Sequence, residues 1–484
     1  MHTRASSDGL AETGMRGPVM ALGLVAAILV AGQALMAHLS PRWLQAGFTS
    51  VAEVLPVVAL LGMPGLIALA ATPLLSRVSG VRAALWLMLA TGLAMRLVWW
   101  GVPIGIDDDY FRYLWDGAVL ASGHNPYAIA PAAVMAGDTA TSHLATLAAR
   151  AGPILHGINF PELTTIYPGT AQIAFALAYV VAPLSNDGLR VVFLGADLAT
   201  LALLVATLRE MGRPVLLASL YWLNPLVVWS GFGTIHSEAL LAPLLLGTLL
   251  CAWRGHDMLS AVLLALAVGV KLWPVLMVPM LARLAHASGR RLLAPAAAFA
   301  FVSALLLGPL ALSALSGLRS GLVAYSDHWW TNNAPFSWIS YGVYRLSDGD
   351  PLGQRLLRAA VAFAVATLAL LVARKPPLDL RQLLLSATTL AATTFYLAPA
   401  QFPWYALWFL PLAAAVESRP LLLASASLAT YYLLLPLANQ GAGEVHNYGL
   451  AFLHALPVWA WLAWTARATR EPIGASSSSH LTAS

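Results

Sequence analysis

The stretch IDDDYFRYLWDGAVLASGHNPYAIAP, Ile106 to Pro131, sets three consecutive aspartates ahead of an amphipathic helix in a chain whose other long segments are mostly apolar. Carboxylates concentrated in such a chain need a reason. One is a helix cap: Asp108 or Asp109 accepts from the free N–H groups at the start of a helix over Tyr110 to Ala121, where negative charge also suits the helix dipole. The other is a site held just outside a membrane, with Asp107, Asp108 and Asp109 as candidate catalytic acids and Asp107 and Asp109 spaced to face one ligand. A cap needs only one of the three.

Composition fixes the setting of that stretch. The chain has 484 residues, of which 59% are hydrophobic and 10% charged, against about 25% charged in soluble domains. This predicts an all-α, polytopic transmembrane helical bundle. Cys251 is the single cysteine, which excludes an intramolecular disulfide and argues against a cysteine-built metal site. The net charge of +5 is small for this length and reads as an orientation signal, not as nucleic-acid binding.

Apolar segments run at Val19–Leu39, Val51–Leu75 and Arg82–Val102, and a long polar interval follows to about Thr165. Beyond it come Tyr167–Pro183, Leu189–Leu208, Pro214–Phe232, Glu238–Trp253, Leu259–Leu284, Leu292–Leu315, Arg355–Val372, Leu383–Pro399, Trp404–Val416, Leu421–Leu437 and Tyr448–Thr465. At about 20 residues per crossing this predicts about 13 to 14 spans. The first segment exceeds the roughly 7 to 15 apolar residues of a secretory signal and is read as a retained span. The reading divides the chain into an N-terminal pair of spans (1–81), a main membrane domain (82–470) whose external loop 103–166 carries amphipathic helices, and a Ser-rich disordered tail (471–484).

Lysine and arginine mark cytoplasmic loops. Arg77 with Arg82, Arg209 with Arg213, Arg254, Arg283 with Arg290 and Arg291, Arg374 with Lys375 and Arg381, Arg419, and Arg467 with Arg470 can all lie on that side. The arrangement requires Tyr167–Pro183 to be short or re-entrant and Leu259–Leu284 to break at Lys271–Pro274. Asp107 to Asp109, the loop Arg319–Asp350 and the loop Asn439–Asn447 then share the opposite, non-cytoplasmic side. Tryptophans 43, 99, 100, 115, 329, 330, 338, 404 and 408 lean the same way. An interfacial belt would populate both surfaces, so the bias points to something that stacks on aromatic faces, as sugar rings do.

The loop that opens DDDYFRYLWDG, continues GHNPYAIAP and ends TIYPG (Thr165–Gly169) resembles the first external loop of membrane glycosyltransferases of the GT-C fold. YWLNPLVVWSGFGTIHSEAL (Tyr221–Leu240), VGVKLWPVLMVPML (Val268–Leu281) and QFPWYALWFLPL (Gln401–Leu412) follow in the order seen in polyprenyl-phosphate-mannose-dependent mannosyltransferases. Those include the bacterial family 87 enzymes and the catalytic subunit that mannosylates GPI anchors. The resemblance spans Arg96 to Leu412 and departs at Gly169, where many relatives carry proline. It implies a hexosyltransferase that moves a hexose, mannose foremost, from a polyprenyl-phosphate donor to a glycan or glycolipid acceptor. The implied setting is the outer face of a bacterial inner membrane.

Such a reaction needs a carboxylate within reach of the acceptor hydroxyl as general base, for which Asp107 or Asp109 is placed, and cations beside the leaving lipid phosphate. In-line displacement would invert the anomeric centre. Arg96 and Lys271 are the candidate phosphate contacts, with Arg319 and Arg345 behind them. Lys271 could instead snorkel or pair with Asp197, and Arg96 could pair with Glu53. Tyr110, His236, Glu238, Asp327, His328, Trp329, Asn332, Gln401 and Trp404 are candidate sugar or acceptor contacts. His236, Ser237 and Glu238 are too close in sequence to form a hydrolytic relay. His124 and Asn125 read as turn formers ahead of Pro126. Asp107 with Asp109 could hold a divalent cation, although no cluster of convincing spacing completes a metal site. A lipid-linked glycan flippase or secondary transporter would also use broken helices and intramembrane charges, but the chain shows no internal duplication. A glycan polymerase or ligase would rest on arginines instead.

Overall fold

The computed structural model describes residues 7–44, 46–77, 81–316 and 319–468. The tail at 471–484 and Arg470 lie outside the described residues. Within them the protein is all-α, and the only extended pairings are two isolated bridges, Thr164 with Ser320 and Thr331 with Ala400.

Seven described helices are long and apolar enough to cross a membrane: Met20–Trp43, Val51–Ala70, Asn186–Glu210, Leu293–Leu315, Pro351–Val372, Arg419–Asn439 and Gly443–Arg467. The pair Val215–Trp222 and Pro225–Gly233, bent by 54°, would make an eighth. The total is well below the 13 to 14 expected from apolar runs. A hydropathy run does not see where the backbone stops being helical. Asn224 interrupts one run by accepting from the N–H groups of Leu226 and Val227 at 3.0 and 3.4 Å, and Pro225 opens the next turn. Gly169–Val181, of 13 residues, is about 20 Å long and short of the roughly 30 Å hydrocarbon core. The segment around Lys271 breaks as anticipated: Asp257–Val268 ends, the tighter turn Trp273–Met277 follows with Pro274 as its second residue, and Val278–Ala287 resumes.

Two charged residues bind the core together. Arg96, at the end of the Val81–Leu97 helix, donates from Nε to Asp197 Oδ2 and from Nη1 to the carbonyls of Gly92 and Trp222. Both partners are almost completely buried. The pairings with Glu53 and between Lys271 and Asp197 are therefore not the ones made; Glu53 instead accepts from the backbone N–H of Thr49.

The external loop is a folded layer. Asp109–Ala121 lies along Gly169–Val181 so closely that a Cβ on Gly117 would fall 2.3 Å from the Phe175 carbonyl oxygen. Tyr113 stacks on the Phe175 ring at 4.4 Å. Short helices between Pro126 and His156 fold back over the other face. There Trp115, Val119, Leu144, Leu147 and Leu155 form a small second core.

Candidate functional site

The sequence sets Asp107 and Asp108 just ahead of a helix that begins at Asp109. Asp108, at the N-cap position, makes no side-chain cap and instead accepts from Asn159 Nδ2 at 2.8 Å, while Asp107 Oδ1 accepts from the N–H of Asp109, the first helical residue, at 3.2 Å. All three carboxylates line a cavity of about 530 Å3. Arg112, three residues further along, fixes the opposite rim by donating to the carbonyls of Leu163, Asn159 and Phe160 at 3.2, 3.4 and 3.0 Å.

The chain reaches the cavity floor through an irregular passage. A π-helical turn, Trp229–Gly233, is followed by Ile235 at φ 54°, a left-handed conformation that is costly for a β-branched residue. His236 is then fully buried, with its ring stacked on Trp404 at 3.6 Å and 10° between planes. One ring edge faces the aspartates: Nε2 lies 3.2 Å from Asp107 Oδ2, and Nδ1 lies 3.7 Å from Asp109 Oδ2. Although the first distance is short enough, neither nitrogen has the alignment of a hydrogen bond. Burial and the neighbouring Asp107 hold the Asp109 carboxyl above the usual carboxylate range, with His236 pulling it part of the way back. Burial lowers the His236 imidazole, but the charges of Asp107 and Asp109 outweigh it and leave the group raised.

Glu238 and Lys271 face each other across the cavity wall at 2.8 Å. The Lys271 ammonium also lies 4.8 Å from the centre of the Tyr405 ring, and the Tyr405 hydroxyl shares a hydrogen bond with Tyr325 at 2.8 Å. Trp329 closes one side, edge-on to Phe160 at 4.8 Å.

Of the residues singled out in the sequence, Asp107, Asp108, Asp109, Tyr110, Glu238, Lys271, Trp329 and Trp404 line the cavity, and His236 lies against its acids. Others do not converge there. Arg96 is committed to Asp197 within the helices and is not among the lining residues. Asp327 is 3.6 Å from Arg355, and His328 Nδ1 is 3.2 Å from the Ala324 carbonyl oxygen on its own helix. Asn332 and Gln401 are buried and hold backbone: Asn332 Nδ2 donates to the Gln401 carbonyl, and Gln401 Nε2 to that of Tyr396, both at 2.8 Å. Asn125 is the turn former expected, accepting from Tyr127 N–H at 3.0 Å. Sequence reasoning passed over Arg112, Asn159, Tyr325 and Tyr431. Arg112 lay within the quoted motif, and its place beside three aspartates was the available signal.

Residues 165–343 match the family model described as GPI transamidase subunit PIG-U. No curated protein and no solved structure matches the chain. The matched segment carries Tyr167, His236, Glu238, Lys271, Tyr325 and Trp329, while the three aspartates precede it. This overturns the resemblance to the polyprenyl-phosphate-mannose-dependent mannosyltransferases, because the matching family is a different one. The hexosyltransferase reading goes with it, since that family is described as a subunit of a transamidase. The polyprenyl-phosphate donor likewise has no support in the match. What stands is an integral, multi-pass membrane protein with a polar cavity walled by its helices.

Proposed function

We propose that the chain is a non-catalytic subunit of a membrane complex, and that its cavity receives the glycan-bearing head of a glycophospholipid at the non-cytoplasmic surface. The observation that carries the reading is the joint lining of one cavity by Asp107, Asp109, Glu238 and Lys271 together with Trp329, Trp404 and Tyr405. Carboxylate oxygens accept from sugar hydroxyls, and the aromatic walls offer apolar faces with polar edges, the combination a partly wet, partly apolar ligand needs. The lipid tails then stay among the apolar helices while the head turns into the cavity. The match to a GPI transamidase subunit supports the same ligand class, because it covers Glu238, Lys271 and Trp329.

The test is retention of a labelled glycosylphosphatidylinositol by the purified chain in lipid nanodiscs, against phosphatidylinositol without glycan and the glycan without lipid. Retention of the complete glycolipid alone, weakened by about tenfold or more (about 1.4 kcal/mol) in Trp404→Ala, is the expected result. Equal retention of phosphatidylinositol, or a new glycosidic product from a polyprenyl-phosphate sugar, overturns the proposal.

A further inference from the structure

We infer that Asp107, Asp109 and His236 form a binding site for a divalent first-row transition-metal ion, of the Mn2+ or Zn2+ kind, at the margin of the cavity. One ligand atom from each residue lies within 4.8 Å of the others. Neighbouring ligands around such an ion stand roughly 3 to 3.5 Å apart, given metal–ligand distances near 2.1 Å. Small side-chain rotations therefore close the set. Asp108 is excluded because its carboxylate is turned to Asn159, and Glu238 because it is held by Lys271.

Acidic residues next to one another would not by themselves make a site. The independent observation is His236. It is completely buried, the ring is held with its edge toward two carboxylates by stacking on Trp404, and its nitrogens meet those carboxylates at 3.2 and 3.7 Å without the alignment of a hydrogen bond. An imidazolium paired with Asp107 at 3.2 Å is the rival account, and the metal titration separates the two. A metal ion would take a nitrogen lone pair of the neutral ring and offset two adjacent negative charges.

The donor set selects the ion. Imidazole favours zinc and other transition ions, carboxylates favour manganese and magnesium, and calcium takes an all-oxygen shell of six to eight donors. One nitrogen with two carboxylates fits a borderline ion. Three protein ligands also leave the shell incomplete for any geometry such ions adopt. Asp107 and Asp109 border the cavity, so the remaining positions are available to water or to an oxygen of a bound headgroup.

The experiment titrates Mn2+ into the full chain in nanodiscs free of added glycolipid and follows it by electron paramagnetic resonance. One equivalent should bind, Zn2+ should displace it, and Ca2+ should not. Spin-echo modulation from a ring nitrogen should be present and should change on incorporation of 15N-histidine. Asp107→Asn with Asp109→Asn should abolish binding. His236→Phe, which preserves the stack on Trp404, should weaken it at least about tenfold, the smaller effect seen when even an outer partner of a metal is removed. If either variant fails to fold, the nitrogen modulation in the unaltered chain decides. No stoichiometric Mn2+, or bound Mn2+ without nitrogen coupling, overturns the inference. Because no glycolipid is present, neither result bears on head binding, and loss of head binding would leave this site untouched.

Discussion

Arg96 Nε lies 2.5 Å from Asp197 Oδ2, and the guanidinium carbon sits 3.5 Å above the Trp222 ring. Two residues 101 positions apart thus join the helices Val81–Leu97 and Asn186–Glu210 inside the protein. Removing one partner of a buried pair leaves an uncompensated charge and typically costs 3 to 5 kcal/mol, whereas replacing both by apolar residues of similar volume is often neutral. Asp197→Ala is expected to lower stability by about 3 kcal/mol or more, and Arg96→Met with Asp197→Leu to recover most of that loss. Thermal unfolding in detergent reads both. An Asp197→Ala chain as stable as the unaltered one would show that the pair carries no structural load.

That pair also shows where the sequence was legible and where it was not. The all-α membrane class followed from composition, and the break near Lys271 from the requirement that the Lys- and Arg-bearing turns share the cytoplasmic side. Asp107 to Asp109, Lys271, His236 and Glu238 drew notice because polar groups are costly among apolar ones. Which cation meets which carboxylate depends on contacts between distant positions, and local pattern has no access to them. Arg96 was accordingly assigned to a phosphate, although its partner is Asp197. The aromatic and polar run Asp327–Asn333 has the composition of a sugar site, yet only Trp329 reaches the cavity while Asn332 and Asn333 hold the backbone of the 396–401 segment. Short motifs in the right order pointed to a transferase family, and the longer continuous match at 165–343 points elsewhere.

Gly117 tests how the external layer is seated. Its missing Cβ is what lets Asp109–Ala121 approach Gly169–Val181, since an added methyl would stand 2.3 Å from the Phe175 carbonyl oxygen and 2.5 Å from its carbon. Those are backbone atoms and cannot swing aside. Gly117→Ala is expected to cost about 1 to 3 kcal/mol through overpacking. It should also displace the aspartates at the start of the same helix, so glycolipid retention should fall together with the melting temperature. Unchanged values of both would mean that the two helices part freely.

Lys271 and Glu238 should respond unequally to substitution. The Glu238 side chain is 1% exposed and that of Lys271 is 19% exposed, so the carboxylate is the member that cannot be rescued by water. Lys271→Ala strands a buried charge, for which a loss of about 3 kcal/mol is expected. Glu238→Gln leaves an ammonium that still reaches the cavity and the Tyr405 face, and it should cost less than half as much. Equal losses in chemical denaturation would indicate that both ends of the pair are equally solvated.

Arg112 is expected to control the cavity rim without touching the cavity's ionic floor. Its guanidinium binds the carbonyls of Asn159, Phe160 and Leu163, and Asn159 in turn holds Asp108. A lysine at this position keeps the charge but loses the planar fork that reaches several acceptors at once. Hydrogen bonds to a charged group contribute about 1.5 to 3 kcal/mol, so Arg112→Lys should release the 159–163 segment while the membrane helices stay intact. Hydrogen exchange should accelerate at Phe160, Glu162 and Leu163, with no change along Asn186–Glu210. Acceleration spread over both regions would instead show that the loop and the helices open as one unit, and that the arginine acts on the whole fold.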